Sequence, residues 1–262
     1  MQVPSDPGQV SAEDVESGFT DAGLMEGPVA EAPLIENTQG EGTVDFPVAG
    51  EDSKAPDCGI LRAVVRDFST SHPDFETFGG IEGLRGILEE ELGPDAKPVY
   101  AHEGPTSHTS GPEYFAQWYE DMPGVNVPFT VDITLGPLVN GGLGFESYEF
   151  FPIDNVGFGN EGNIHNYHFT TEIHTEFVYS GGESFTFRGD DDLWLFINGK
   201  LGIDLGGLHQ ALSATVDLDA EAGRLGLTPG ERYRMDIFHA ERHRGESNFR
   251  IETNIECLVS II

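Results

Sequence analysis

LWLFINGKLGID, residues 193–204, leaves the backbone few options. Asn198-Gly199 is the pair that a two-residue type I′ turn selects, because both central residues of that turn need positive φ. An apolar run enters the turn and a shorter one leaves it, so the chain must run out and return as an antiparallel hairpin. A second segment extends this pattern. In HNYHFTTEIHTEFVYS (165–180), Tyr167, Phe169, Ile173, Phe177 and Tyr179 fall on one face, and His168, Thr170, Glu172, His174 and Glu176 on the other. A period of two over this length predicts a half-buried antiparallel strand, bent or broken along its course.

Further strands are predicted at 59–68, 184–188, 200–204, 213–219, 232–240 and 248–256, with turns at Gly181-Gly182 and at TPGE (228–231). Helices are predicted over 80–92, stopped by Gly93-Pro94, and over 112–122, stopped before Pro123. The 34 glycines and 16 prolines divide the sequence into short pieces. The expected fold is all-β, an antiparallel β-sandwich or barrel with one or two short helices.

Residues 1–57 are different. They hold thirteen acids against one base, Lys54, and show no periodicity. They are expected to form a disordered acidic tail or linker, with an acidic partner-binding segment as the alternative. The folded domain is placed at 58–257 and a short C-terminal tail at 258–262. The chain carries 46 acids and 13 bases, a formal net charge of −33. Such a surface repels nucleic acid and anionic lipid, and no run approaches the roughly 20 apolar residues of a membrane span. Neither nucleic-acid binding nor membrane insertion is expected.

The first residues, MQVPSDPGQV, lack a basic region and an apolar core, so they do not form a signal peptide. An exported protein of this sequence has lost its signal, or the sequence is a piece of a longer multidomain chain. The only two cysteines, Cys58 and Cys257, stand at the two edges of the folded region. They are either two separate buried thiols or a disulfide that ties the first strand to the last and places the domain in an oxidising compartment.

Asp190, Asp191 and Asp192 stand directly before the apolar run LWLFI. Adjacent carboxylates repel, and burying one unpaired costs several kcal/mol. A solvated loop tip relieves this repulsion; so does a cation. Ca²⁺ takes six to eight oxygens from carboxylates, carbonyls and water, more than one loop supplies. The loop HAERHRGESN (239–248) offers the Glu241 carboxylate and backbone carbonyls near His243 and Gly245.

FRGDDDLWLFINGKLGIDLGGLH (187–209) resembles the signature of the fibro-slime domain, a branch of the protective-antigen-14 superfamily of carbohydrate-binding β-sandwiches. The resemblance extends to RDFSTSHPDFE, LGPDAKPVY, FAQWYEDMPGVN, FFPIDNVGFGN, HNYHFTTEIHTEF and DIFHAERHRGESNFRIET, and to the flanking cysteines, covering about 58–257. It implies a domain of secreted or cell-surface proteins. In sugar-binding members an Asp-Asp pair joined by a cis peptide binds Ca²⁺, which coordinates two hydroxyls of a terminal sugar. Carried over, that pair falls on Asp190 and Asp191, the second-loop side-chain ligand on Glu241, and the backbone ligands on His243 and Gly245.

Two departures stand out: Asp192 replaces a glycine common in the superfamily, and Glu241 stands where yeast members often carry Asn. Asp192, Asp204, His209, Arg242, Arg244 and Glu246 are candidates for contacting the ligand, although Asp204 and His209 also suit a turn cap. The resulting expectation is a Ca²⁺-dependent module that binds extracellular or cell-wall glycan. A structural or assembly module without a sugar site is the alternative.

Other readings are weaker. His168 and His174 share a face but lie about 20 Å apart on an extended strand, too far to share a zinc ion. Arg188-Gly189-Asp190 spells a cell-attachment tripeptide, but it competes with the metal loop for Asp190. No nucleophile elbow or phosphate loop is present, and no pair of carboxylates is singled out, so no enzymatic activity is expected.

Overall fold

The computed structural model describes residues 58–139 and 141–261; the acidic segment 1–57 expected to be disordered lies outside the described residues. Two antiparallel sheets face each other. The first contains β1 (Ile60–Phe68), β2 (Asn126–Thr134), β5 (Phe169–Val178), β7 (Asp192–Ile197), β8 (Lys200–Leu205) and β10 (Arg232–Glu241) in the order β2-β1-β5-β10-β7-β8. The second contains β3 (Gly136–Pro137), β4 (Leu143–Ser147), β6 (Ser184–Gly189), β9 (Leu212–Asp217) and β11 (Phe249–Thr253) in the order β3-β4-β11-β6-β9. The expected sandwich is borne out. The tail predicted at 258–262 contains a further short strand, β12 (Val259–Ser260), paired with Glu176 and Thr175 of β5.

The hairpin forms as predicted, with φ of 53° at Asn198 and 74° at Gly199. The half-buried strand does not. Nearly every residue of β5 is buried, on both faces. Phe169, Ile173 and Phe177 point into the sandwich core beside Leu195, Ile237 and Ile251. On the opposite face lies a third layer, the irregular segment between β1 and β2. It lays Ile87, Phe115, Trp118 and Tyr119 against Trp194, Phe196 and Phe238. Two-sided burial accounts for the unbroken LWLFI run, because alternate residues serve different cores.

The helix predicted over 80–92 is absent. Gly83 and Gly86 adopt positive φ there, at 69° and 77°, in turns that a helix could not hold. Glycine is already disfavoured in a helix by about 1 kcal/mol relative to alanine. Ile87 and Leu88 instead anchor an extended segment to the outer core. The helix predicted over 112–122 contracts to α1 (Pro112–Phe115). Beyond it, the Asn126 side chain donates to the carbonyls of Gln117 and Glu120 and fixes a turn. A helix missing from the sequence reading, α2 (Leu218–Leu225), starts where Asp217 accepts from the Ala220 amide and ends at left-handed Gly226. Cys58 and Cys257 are joined in a disulfide with a Cα–Cα distance of 5.3 Å. Among the described residues no helix is long and apolar enough to cross a membrane.

Candidate functional site

At one end of the sandwich the chain crosses between sheets three times. It passes from β6 to β7 through Asp190 and Asp191, from β8 to β9 through residues 206–211, and from β10 to β11 through residues 242–248. Strand register makes these three corners neighbours. Gly189 pairs with both Phe249 and Leu212, and Asp192 pairs with Ala240. The apolar strands thus deliver the aspartates to a place where three bends converge and the backbone amides of the bends lack ladder partners.

The aspartates supply those partners. Asp190 takes the Asn248 amide and side-chain nitrogen, each at 2.6 Å. Asp191, at φ 51°, accepts through Oδ2 from the amides of Arg242 (2.8 Å) and His243 (3.0 Å). Asp192 accepts from the Gly207 amide at 2.5 Å and from Arg242 Nε at 2.6 Å. Each aspartate therefore pins a different piece of the corner cluster. The Asp190–Asp191 peptide is trans, unlike the cis pair that the resemblance implies.

Above these bends lies a cleft of about 320 Å³, closed on its far side by Gly79, Gly80 and Ile81. Asp190, Asp191, His209, His243, Arg244 and Glu246 line it. Glu241, the last residue of β10, lies beneath, 1% exposed, and neither carboxylate oxygen has a hydrogen-bond partner. The Ser247 hydroxyl beside it donates to the Phe150 carbonyl instead. Burial first, and then the charges of Asp191 and Asp190, push the Glu241 carboxyl well above its ordinary range. Burial also pushes Asp191 up to about 7 against the pull of Arg242, and raises Asp190 against its bonds to Asn248.

An orphaned carboxylate below two others forms an all-oxygen donor set. That chemistry fits Ca²⁺ rather than a soft metal. Among the described residues no three acidic, histidine or cysteine side chains form a ready-made metal cluster. A cation here would draw the rest of its shell from carbonyls and water.

The remaining candidates separate. Gly245 lies in the third corner without lining the cleft. His209 lines it, with its ring nitrogens against the carbonyls of Gln210 and Leu205 at 2.9 Å. Asp204 caps a turn, accepting from the amides of Gly86 and Gly206 and from the Trp194 indole. Asp192 and Arg242, placed among the ligand contacts by their position in sequence, are fully buried against each other below the cleft. Gly189 and Asp190 are buried, so the Arg188-Gly189-Asp190 tripeptide is not displayed.

Sequence reading missed Asn248, which grips both Asp190 oxygens. It also missed Glu76, whose backbone amide donates to the Arg242 carbonyl and whose carboxylate takes the Arg244 amide. The available signal for the first was its position where the 239–248 loop meets the last strand, predicted from Asn248; Glu76 has none in the sequence.

Residues 155–258 match the PA14 domain, a span that contains all three corners. The psiD protein of Dictyostelium discoideum is 40% identical over 215 residues, covering 76% of this chain and 42% of that one. The psiR protein of the same organism is 38% identical over 213 residues, covering 75% and 21%. The chain thus spans less than half the length of these curated relatives. Among solved structures, the PA14 sugar-binding domain from an RTX adhesin aligns at 15% identity over 37% of this chain and 52% of that one, with a TM-score of 0.27. The fibro-slime and protective-antigen-14 resemblance read from the sequence is borne out by the domain match.

Proposed function

The chain carries a PA14 domain, and on that premise we propose that it is a Ca²⁺-dependent glycan-binding module of a secreted or cell-surface protein. The observation that carries the reading is Glu241. A buried carboxyl with no donor, pressed against two more, must hold its proton unless a cation takes the proton's place. Asp190, Asp191 and Glu241 would hold the ion, with backbone carbonyls near His243 and Gly245. The bound ion would supply an electrophilic point for sugar hydroxyls entering the cleft. Arg244, Glu246 and His209, which line the cleft, would contact the rest of that sugar. The disulfide supports an oxidising compartment. Binding rather than hydrolysis is the activity this reading gives the cleft.

A structural or assembly module is the second reading. It is favoured by Asp190 and Asp192, whose oxygens already have protein donors. A glycan array probed with and without chelator separates the two. The first reading expects retention of one class of glycan with Ca²⁺ and its release by chelator. Absence of any glycan signal, in a protein that Ca²⁺ still stabilises, would leave the structural module.

A further inference from the structure

Arg242 has the most connected side chain at this end of the molecule, yet it never reaches the cleft. Its guanidinium is fully buried. Its Nε donates to Asp192 Oδ2 at 2.6 Å, its Nη2 lies 2.5 Å from the same oxygen without hydrogen-bond geometry, and its Nη1 donates to the carbonyls of Asp74 (3.1 Å) and His108 (2.8 Å). It lies 4.7 Å from the Trp118 ring centroid. Its own backbone amide donates to Asp191, and its carbonyl accepts from Glu76 at 2.9 Å. The other Asp192 oxygen takes the Gly207 amide. One ion pair therefore touches all three corners and the outer layer as well.

Fold stability alone does not call for such a pair. Apolar residues of similar volume often replace a buried ion pair without loss, and sometimes with a gain. What apolar residues cannot reproduce is the directional set of bonds that fixes where the 242–243 amides point. Those amides hold Asp191, and the same loop carries the carbonyls assigned to the ion.

We propose that Arg242 and Asp192 are positioning residues: their buried pair sets the Asp191 carboxylate and the 242–245 backbone in cation-binding geometry before any ion arrives. This deepens the Ca²⁺ reading given above and rests on it. Partners outside the ligand shell that orient metal ligands typically carry a 10- to 100-fold share of affinity. Lysine at 242 would keep the charge and lose the planar fork.

The test uses the whole chain and four proteins: wild type, Arg242→Lys, the apolar double variant Arg242→Met/Asp192→Leu, and Leu258→Ala. Leu258 is a buried core residue at the disulfide end of the sandwich and reports general destabilisation. Two quantities are read: Ca²⁺ affinity by calorimetry, and amide hydrogen exchange at residues 242 and 243 without metal. Arg242→Lys is expected to bind Ca²⁺ about 10- to 100-fold more weakly and to exchange these two amides faster. The double variant is expected to lose affinity equally while melting near the wild type. Leu258→Ala is expected to melt lower with affinity and 242–243 exchange unchanged. Wild-type affinity and exchange in Arg242→Lys overturn the proposal. So does a loss of affinity in Leu258→Ala that matches its loss of melting temperature. Failure of the wild type to bind Ca²⁺ overturns the metal reading instead, and the exchange measurement then decides the positioning role alone.

Discussion

Two collections of buried charge lie along β10, and they are built on opposite plans. Toward its middle, on the face covered by the outer layer, Glu172 accepts from Arg66 at 2.6 Å, from His174 at 2.7 Å and from Lys97. His174 reaches Asp236 at 2.6 Å, and Asp236 also takes Arg234 at 2.8 Å. Acids and bases alternate across the strands, and every carboxylate faces cations. At the end of β10, Asp190, Asp191, Asp192 and Glu241 gather around one buried cation, Arg242, which is committed to Asp192. The first collection is closed. The second gathers carboxyls with no cation of their own beyond Arg242, and one of them, Glu241, has no hydrogen-bond donor beneath an open cleft. Buried charge marks a candidate ligand site here because it is unbalanced; burial by itself does not distinguish the two.

The largest expected effect lies in the closed collection. Glu172→Ala would leave Arg66, Lys97 and His174 facing one another without their shared acceptor. Removing one partner of a buried pair costs about 3–5 kcal/mol, and chemical denaturation should register a loss of that order with no change in Ca²⁺ response. A loss under about 1 kcal/mol would show that the alternation is decorative.

The pH dependence follows from the same residues. Burial opposes the Glu172 charge, but His174, Arg66 and Lys97 outweigh it and hold its carboxyl down at about 2, from an ordinary 4.5. Its contribution to stability is complete above about 4.5 and is lost as pH falls toward 2. Burial likewise opposes the His174 charge, and the bonds to Asp236 and Glu172 raise its pKa above the ordinary 6.5. That contribution is complete below about 6.5 and is lost as pH rises through the raised value. Stability measured across pH should therefore fall at both ends; His174→Gln should flatten the alkaline side and, because His174 helps hold Glu172 down, also shrink the acid-side loss. An unchanged alkaline side in that variant would remove the histidine from the account.

Arg234 gives the smallest expected effect. Its side chain is 42% exposed, and exposed ion pairs contribute about 0–1 kcal/mol. Arg234→Ala should cost no more than that in the same denaturation assay. A larger loss would mean that Asp236 depends on it and that the collection is less redundant than its geometry indicates.

The two collections also differ in how much of them the sequence reveals. Asp190 and Asp191 could be placed because three acids against LWLFI conflict with burial, and such a conflict is visible in one dimension. Glu241 could be placed because it heads the loop after a recognisable strand, predicted over 232–240, at the position the family resemblance marks. Arg242 could not: arginine defaults to the surface, and its carbonyl partner Asp74 lies 168 positions earlier in the chain. The polar face of β5 was read correctly as a face but assigned to solvent. Nothing local reveals the third layer that covers it, since the predicted helix over 80–92 is an extended segment bent by Gly83 and Gly86. β2 was legible and missed. Phe129, Val131 and Ile133 alternate there with Thr130, Asp132 and Thr134. Local pairing rules recover strands and turns; which surface a distant segment covers is a tertiary fact.

The central claim is that a cation takes the place of the Glu241 proton at the corner cluster, and Glu241→Gln tests it most directly. Glutamine keeps the shape of the side chain and cannot ionise to meet a cation. Melting curves of wild type and variant, each in chelator and in Ca²⁺, give four temperatures. A cation that binds only the folded state stabilises it by about 2.7 kcal/mol at a hundredfold excess over Kd. Ca²⁺ should raise the wild-type melting temperature, Glu241→Gln should melt close to wild type in chelator, and the variant should lose most of the Ca²⁺ shift. A wild-type melting temperature indifferent to both Ca²⁺ and chelator would contradict the account.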